Sequence, residues 1–202
     1  AGHKSIAIGY GALSTQNLTS STDIYNVGIG HQAATNLTTG GTNTLVGGLA
    51  GLAITTANSN SAVGFNALAA NTTGTGNSAI GHNTLDANTT GAYNVAVGLS
   101  ALGANTTAGS NVAIGTSALE FNTTGSGLTA VGTSSLDANT TGTDNTAVGL
   151  NGLGANTTGY QNTAVGRNAL SSNTTAIQNT AMGYYSLLNT STGSANTGYG
   201  WS

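Results

Sequence analysis

The sequence predicts an all-β protein, a parallel β-solenoid (β-roll) of about eleven 17-residue coils, with trimeric association favoured. Three observations predict it. First, one unit recurs. Asn60 to Gly76 is followed by units starting at Asn77, Asn94, Asn111, Leu128, Asn145, Asn162, Asn179 and Asn196, and preceded by units at Asn43 and Asn26, every step being 17 residues. Second, counting from the leading Asn, position 5 is Gly throughout, including Gly64, Gly81, Gly98 and Gly115, and position 4 is apolar throughout, as at Val63, Ile80 and Val97. Third, an Asn-Thr-Thr-Gly block fills positions 12 to 15 at Asn71, Asn88, Asn122, Asn139 and Asn156, and ends in Ala at Asn105 and Asn173.

Residues 1–202 read as a single repeat array. Residues 5–25 form an irregular first coil, because the step from Ser5 to Asn26 is 21; residues 26–195 are regular coils, and 196–202 begin a further, truncated one. A helical unit is rejected. Apolar positions 4 and 9 are five apart, poor spacing for one helix face, and each Gly in a helix interior costs about 1 kcal/mol. The expected coil has a short strand at positions 1 to 4, a bend at the Gly of position 5, a second extended segment near positions 8 to 11, and a closing turn at 12 to 15. Asn, Thr and Gly suit such a turn, Gly because it tolerates φ > 0. Equivalent residues then stack about 4.8 Å apart. Internal ladders are expected from Val63, Ile80 and Val97 and from Leu68, Leu85 and Leu102, with a polar ladder of Asn71, Asn88 and Asn105 at the bends.

The composition narrows the function classes. Only 3% of the 202 residues are charged, the net charge is −3, and Pro and Cys are absent. The regular apolar spacing argues against disorder. Lys4 and Arg167 alone make no basic patch, so nucleic-acid binding is not expected. No apolar run approaches the ~20 residues that span a bilayer, and no disulfide framework exists. No signal-peptide pattern is visible, and a start at Ala1 suggests a processed chain or a piece of a longer one. No capping element is evident, so the expectation is a segment of a longer fibre or end-to-end stacking through strand edges. Two large apolar side chains per coil make a thin core, which leads to the expectation that the solenoid packs against copies of itself.

Chemistry-bearing residues are few. Asp86, Glu120 and Asp137 share position 10, with Glu120 and Asp137 on adjacent coils. They read as solvated charges, since no insertion builds a pocket. His31 and His82 share position 6 but lie three coils apart, too far for one metal. No catalytic, cofactor or metal constellation is present, so neither an enzyme nor a cofactor is expected. The Asn-x-Thr strings are formal N-glycosylation sequons, read here as stacked turn residues. Position 6 varies along the chain and is the candidate binding column. Phe65, His82 and Tyr184, with Tyr185 beside it, are the candidate surface-binding residues. Positions 13 and 14 give Thr pairs such as Thr72-Thr73, of which one column faces outward. That makes an ice-binding solenoid a lower-ranked alternative.

Strings of the type Asn-Thr-Ala-Val-Gly occur at Asn145 and Asn162, and with Met182 for Val at Asn179; Asn162 continues to Ala169-Leu170. With Ser5-Ile-Ala-Ile-Gly9, they resemble the head repeats of trimeric autotransporter adhesins, and similar repeats of phage tail fibres. The resemblance covers nearly the whole chain, although the adhesin-head repeat is shorter than this 17-residue one. It implies a β-roll stacked along a trimer axis and displayed outside a cell or virion. The expected function is an extracellular structural fibre or adhesin segment attaching to a host cell or other surface. The alternative is a phage tail-fibre shaft or a self-assembling surface filament subunit. Expected partners are further copies of the chain, as a trimer or an end-to-end filament, and a surface glycan or protein receptor. Neither nucleic acid nor membrane insertion is expected. A rod of roughly 50 Å follows from the strand spacing.

Overall fold

The computed structural model describes residues 4–16 and 24–201. Each coil contributes one three-residue strand: β1 (Ile6–Ile8), β2 (Val27–Ile29), β3 (Thr44–Val46), β4 (Ser61–Val63), β5 (Ser78–Ile80), β6 (Val95–Val97), β7 (Val112–Ile114), β8 (Thr129–Val131), β9 (Thr146–Val148), β10 (Thr163–Val165), β11 (Thr180–Met182) and β12 (Thr197–Tyr199). They pair in chain order into one 12-stranded sheet. Pairing is parallel and follows the period, with Val63 against Ile80 and Ile80 against Val97. Ile6 pairs with Val27 across the longer first step. Parallel neighbours need a crossover of a dozen or more residues, and the rest of each unit supplies it. The strand occupies positions 2 to 4 rather than 1 to 4, because the position-1 N–H bonds a side chain instead of a neighbouring strand, as Asn77 N–H donates to Asn60 Oδ1 (3.0 Å).

Side chains alternate across a strand. Position 3 points in: Ala62, Ala79, Ala96 and Ala113 are fully buried. Position 4 must then point out, and Val63, Ile80 and Ile114 are 43%, 48% and 40% exposed. The expected interior ladder of Val63, Ile80 and Val97 is therefore corrected. These residues do stack in register, but on the outer face of the sheet. The interior is built from the Ala of position 3, the Ala of position 8 such as Ala67 and Ala101, and the Leu of position 9. Leu68, Leu85 and Leu102 are completely buried, where the sequence placed them.

The expected second extended segment is also corrected. Positions 5 to 12 wind through successive turns. The Ala67 N–H donates to Gly64 O (3.5 Å), Ala69 to Asn66 O (3.3 Å) and Asn71 to Leu68 O (3.2 Å). Asn66 and Leu68, the third residues of the first two turns, have φ of 63° and 55°, the sign that type II turns require there. Asn and Ser at position 7 suit that conformation. Leu does not, because the left-handed region costs roughly 1–2 kcal/mol for a residue with a Cβ. Full burial of a Leu contributes about 1.5–3 kcal/mol, which is enough to hold position 9 there coil after coil.

Backbone bonds tie neighbouring coils in both directions. The Leu68, Ala70 and Thr72 N–H groups donate forward to Thr84, Asp86 and Thr89 carbonyls at 3.0, 3.0 and 2.9 Å, while Gly64 and Asn66 donate backward to Val46 and Gly48 at 2.8 and 3.0 Å. At the bend, Gly115 has φ +138°, and a Cβ there would lie 2.6 Å from the carbonyl carbon and oxygen of Gly132 in the next coil. The bend needs glycine for both reasons.

Two asparagine columns complete the interior. In the position-1 column, Asn77 Nδ2 donates to Asn60 Oδ1 (3.2 Å) and to Gly91 O (2.9 Å). In the position-12 column, Asn88 Nδ2 donates to Asn71 Oδ1 (2.9 Å) and to the same Gly91 O (3.0 Å). Asn71, Asn88 and Asn105 are fully buried, and Asn105 continues the ladder by donating to Asn88 Oδ1 at 2.8 Å. A buried amide is tolerated only when it is bonded, and stacking at the coil repeat bonds each one to its neighbours. The ladder ends at Asn173, whose Oδ1 has no partner because Thr190 stands at position 12 of the next coil.

Candidate functional surface

The strands fix three outward columns, at positions 2, 4 and 6. Position 6 follows the bend and projects clear of the coil. Phe65 is 50% exposed, Leu99 50% and Tyr184 41%. Of the candidate binding residues, Phe65 and His82 stack on each other across adjacent coils, with ring centroids 5.5 Å apart and planes at 23°. Tyr10 and His31 do the same at 5.7 Å. Tyr184 meets Tyr185 edge-on at 4.2 Å, and the Arg167 guanidinium lies 5.8 Å over the Tyr184 ring. Their mutual hydrogen bond pushes the Tyr184 phenol up and pulls the Tyr185 phenol down. Phe65 and Tyr184 lie seven coils apart (184 − 65 = 119 residues), roughly 33 Å along the stack. They therefore belong to one column but not to one site.

The position-10 acids sit on a different face, beside the turns. Asp86, Glu120 and Asp137 are half-buried. Burial pushes the Asp86 carboxyl above its usual range against the pull of backbone N–H groups, and burial pushes Asp137 up likewise, helped by the Glu120 charge. The coil between Asp86 and Glu120 carries Gly103 at this position, leaving a notch. A cleft of about 310 Å³ opens there, lined by Asn83, Asp86, Ser100, Gly103, Glu120 and Phe121 among others. This differs from the expectation of solvated charges with no pocket. The usable signal was the coincidence of Gly at position 10 with Phe at position 11, in a column that is otherwise mostly Ala.

The threonine block divides as the period-two argument required. Thr72 Oγ1 is part-buried and donates to Thr89 O (3.1 Å), as Thr89 Oγ1 does to Thr106 O (3.0 Å). Position 14 faces solvent and is Thr in every regular coil from Thr39 to Thr192. The sequons separate too. Asn71, Asn88, Asn105, Asn122, Asn139, Asn156 and Asn173 are completely buried in the ladder. Asn36 and Asn189, which head Asn-Leu-Thr and Asn-Thr-Ser strings at position 11, are exposed. Asn17 heads another and lies outside the described residues. Among the described residues no group of three or more His, Asp or Glu side chains is arranged to hold a metal ion.

Fold and surface together define a class, a single-sheet parallel β-solenoid with an apolar strand face, a threonine ridge and one acidic notch. Compared with protein-family models, with curated proteins and with solved structures, the chain shows no match.

Proposed function

We propose that the chain is a segment of an extracellular structural fibre or adhesin. It presents a repetitive β-solenoid surface for attachment to a host cell or other surface, and it associates with two further copies along its strand face. The observation that carries this reading is the inverted apolar pattern of the strands. Small Ala side chains fill the interior, while Val63, Ile80, Ile114 and Met182 stand outside at 40–48% exposure. On a solitary solenoid these side chains stay nearly half exposed to water, whereas covering the rest of each with a second copy contributes on the order of 1 kcal/mol.

Twelve strands at about 4.8 Å, three residues wide, make a strip on the order of 500 Å², the size of the largest patches that monomers expose. Phe65, Leu99, Leu150 and Tyr184 at position 6 widen it. Arg167 is the one formal charge in the three outward columns, so like-charge repulsion between copies is small. The resemblance of Asn162 to Leu170 and of Ser5 to Gly9 to trimeric adhesin-head repeats supports the same arrangement. In it, the rod supplies reach, and repetition along the rod and across chains multiplies weak contacts.

The test is sedimentation of the purified chain together with averaged electron micrographs. Threefold rods are expected, and Ile114→Lys, in mid-face, is expected to release monomers. A folded monomer at micromolar concentration refutes the association. Long continuous filaments favour the filament-subunit alternative.

A second reading, ice binding, draws on the unbroken threonine ridge. One column matches a lattice in one direction only, and the adjacent position 16 runs Thr75, Ala92, Gly109, Ser126, Thr143, Tyr160. The fibre reading therefore stands first, and a thermal-hysteresis measurement separates the two.

A further inference from the structure

Where one unit is repeated with little change, departures from it are informative when they coincide. Three do so on the turn face, away from the strand columns. Position 10 is Asp86, Gly103 and Glu120 on successive coils, so two carboxylates flank a position with no side chain. Position 11 is Ala on the three preceding coils (Ala70, Ala87, Ala104) and then Phe121, which is 55% exposed. Position 7 above Gly103 is the small Ser100, beside Asn83, whose Oδ1 is shielded from solvent and accepts no hydrogen bond.

The result is the cleft of about 310 Å³. Its floor is fixed by the Ala87 N–H bond to Gly103 O (3.2 Å) and the Ala104 N–H bond to Glu120 O (2.9 Å). Asp86 Oδ1 leans over it, 3.5 Å from where a Gly103 Cβ would be. The other glycine at position 10 is covered by its own coil. There Asn151 folds over Gly154 and donates to Asn168 Oδ1 (2.9 Å).

We infer that this cleft is a saccharide subsite, taking one pyranose ring of a neutral or amine-bearing surface glycan. The inference rests on the adhesin reading and names its receptor chemistry. Asp86 and Glu120 accept ring hydroxyls from opposite sides, and charged acceptors make the stronger hydrogen bonds. The Phe121 ring covers the apolar C–H face of the sugar. The volume holds one ring rather than an extended chain. No Lys or Arg lies at positions 7, 10 or 11 of these coils, and Asp137 adds a third carboxylate on the next coil. Sialic and uronic acids are therefore repelled. The strand face stays free to be covered by other copies while this site remains open.

The test uses the full chain and methyl glycosides of glucose, galactose, N-acetylglucosamine and glucosamine, with N-acetylneuraminic acid as the anionic probe, followed by saturation-transfer NMR and calorimetry. At least one of the neutral or amino sugars is expected to bind with a dissociation constant on the order of 1 mM, as suits a single small ligand in an open cleft. Phe121→Ala, Glu120→Gln and Gly103→Ser are each expected to weaken it about tenfold or more, while Tyr160→Ala leaves it unchanged. Glu120→Gln is isosteric on a half-buried side chain, so it reports on the site even where another variant unfolds. Binding of none of these sugars overturns the inference, as does preferential binding of the anionic one. Sugar binding that survives all three cleft variants overturns it too. In each of those cases threefold rods and cell adhesion decide the fibre reading separately.

Discussion

Replacing Gly115 by Ala tests the bend that sets the coil repeat. Gly115 has φ +138°, and an added Cβ would stand 2.6 Å from Gly132 C and O and 3.0 Å from Thr133 N. Two penalties follow. The backbone conformation costs on the order of 1–3 kcal/mol for a non-glycine residue. The contact is with backbone, which cannot rotate away, and forcing an extra carbon into a packed interior costs about 1–3 kcal/mol more. Together they come to roughly 2–6 kcal/mol, a large share of the ~5–15 kcal/mol that holds a domain. Two other glycines separate the terms. Gly200 has φ +106° with nothing within 4 Å, so Gly200→Ala carries the conformational cost alone; Gly41 lacks positive φ and its Cβ would meet Ile24 at 3.6 Å, so Gly41→Ala carries neither. Thermal and denaturant unfolding followed by circular dichroism should rank Gly115→Ala as much the least stable. Because a solenoid's stability is a sum over neighbouring coils, hydrogen exchange should show the loss centred on the coils joined at Gly115. An unchanged midpoint and unchanged protection in Gly115→Ala would refute the bend. A cost equal to that of Gly200→Ala would refute the backbone clash.

The remaining predictions concern the polar groups. Asn88→Leu should cost about 1 kcal/mol more than Asn173→Leu, because Asn88 joins Asn71 and Asn105 whereas Asn173 Oδ1 already lacks a partner; equal denaturation midpoints would contradict the ladder. Asp86 and Asp137 have carboxyl pKa values raised by burial, so the folded state holds their protons more tightly than the unfolded chain does. Their share of stability is present below the ordinary carboxylate range near pH 4 and is lost as pH rises through the raised values. Asp86→Asn should accordingly raise the thermal midpoint at pH 7 and not at pH 3. In folded protein secreted from a glycosylating host, peptide mass spectrometry should find glycan at Asn36 or Asn189 among the described sequons and none at Asn71 to Asn173, since a glycan on a ladder Asn blocks closure of the coil.

How much was legible follows from what a period specifies. Spacing of 17 residues fixed the stack, its register and the residues that must be equivalent, and Gly at position 5 marked the bend. Leu68, Leu85 and Leu102 were readable as core because Leu recurs there in every coil from Leu68 to Leu187. The facing of position 4 was not readable. In a three-residue strand, one register puts Ala79 inside and Ile80 outside, and the other reverses them. Hydrophobicity alone favours the second, while the structure adopts the first. The second half of the coil was misread for a related reason. Leu in the left-handed region has no propensity signal, and its cost is met by burial that only the closed coil supplies. The cleft at Gly103 is not legible in any one unit, because its lining residues Asp86, Gly103 and Phe121 come from three successive coils.

The outward facing of position 4 bears directly on assembly. Had Ile80 and Ile114 faced inward, the position-2 side chains would have turned inward with them and the strands would present the Ala of position 3 to solvent, which would suit a lone rod. The interior space instead goes to two asparagine columns, whose amides bond from coil to coil as at Asn60–Asn77 and Asn71–Asn88. A large side chain enters position 3 once, at Leu45, where position 9 is Gly51 and position 12 is Ile54 instead of Asn; in the later coils Ala at position 3 leaves that space to the Leu and Asn columns. The apolar bulk is thus carried on the outside, and a lateral partner is what turns it from a liability in water into a source of stability. Lysine at Ile114 separates the two possibilities. It should leave the coil's own hydrogen bonds intact, since the side chain already faces outward, and abolish the association. If Ile114→Lys unfolds the isolated coil instead, position 4 contributes to the interior, and the lateral-assembly argument fails with it.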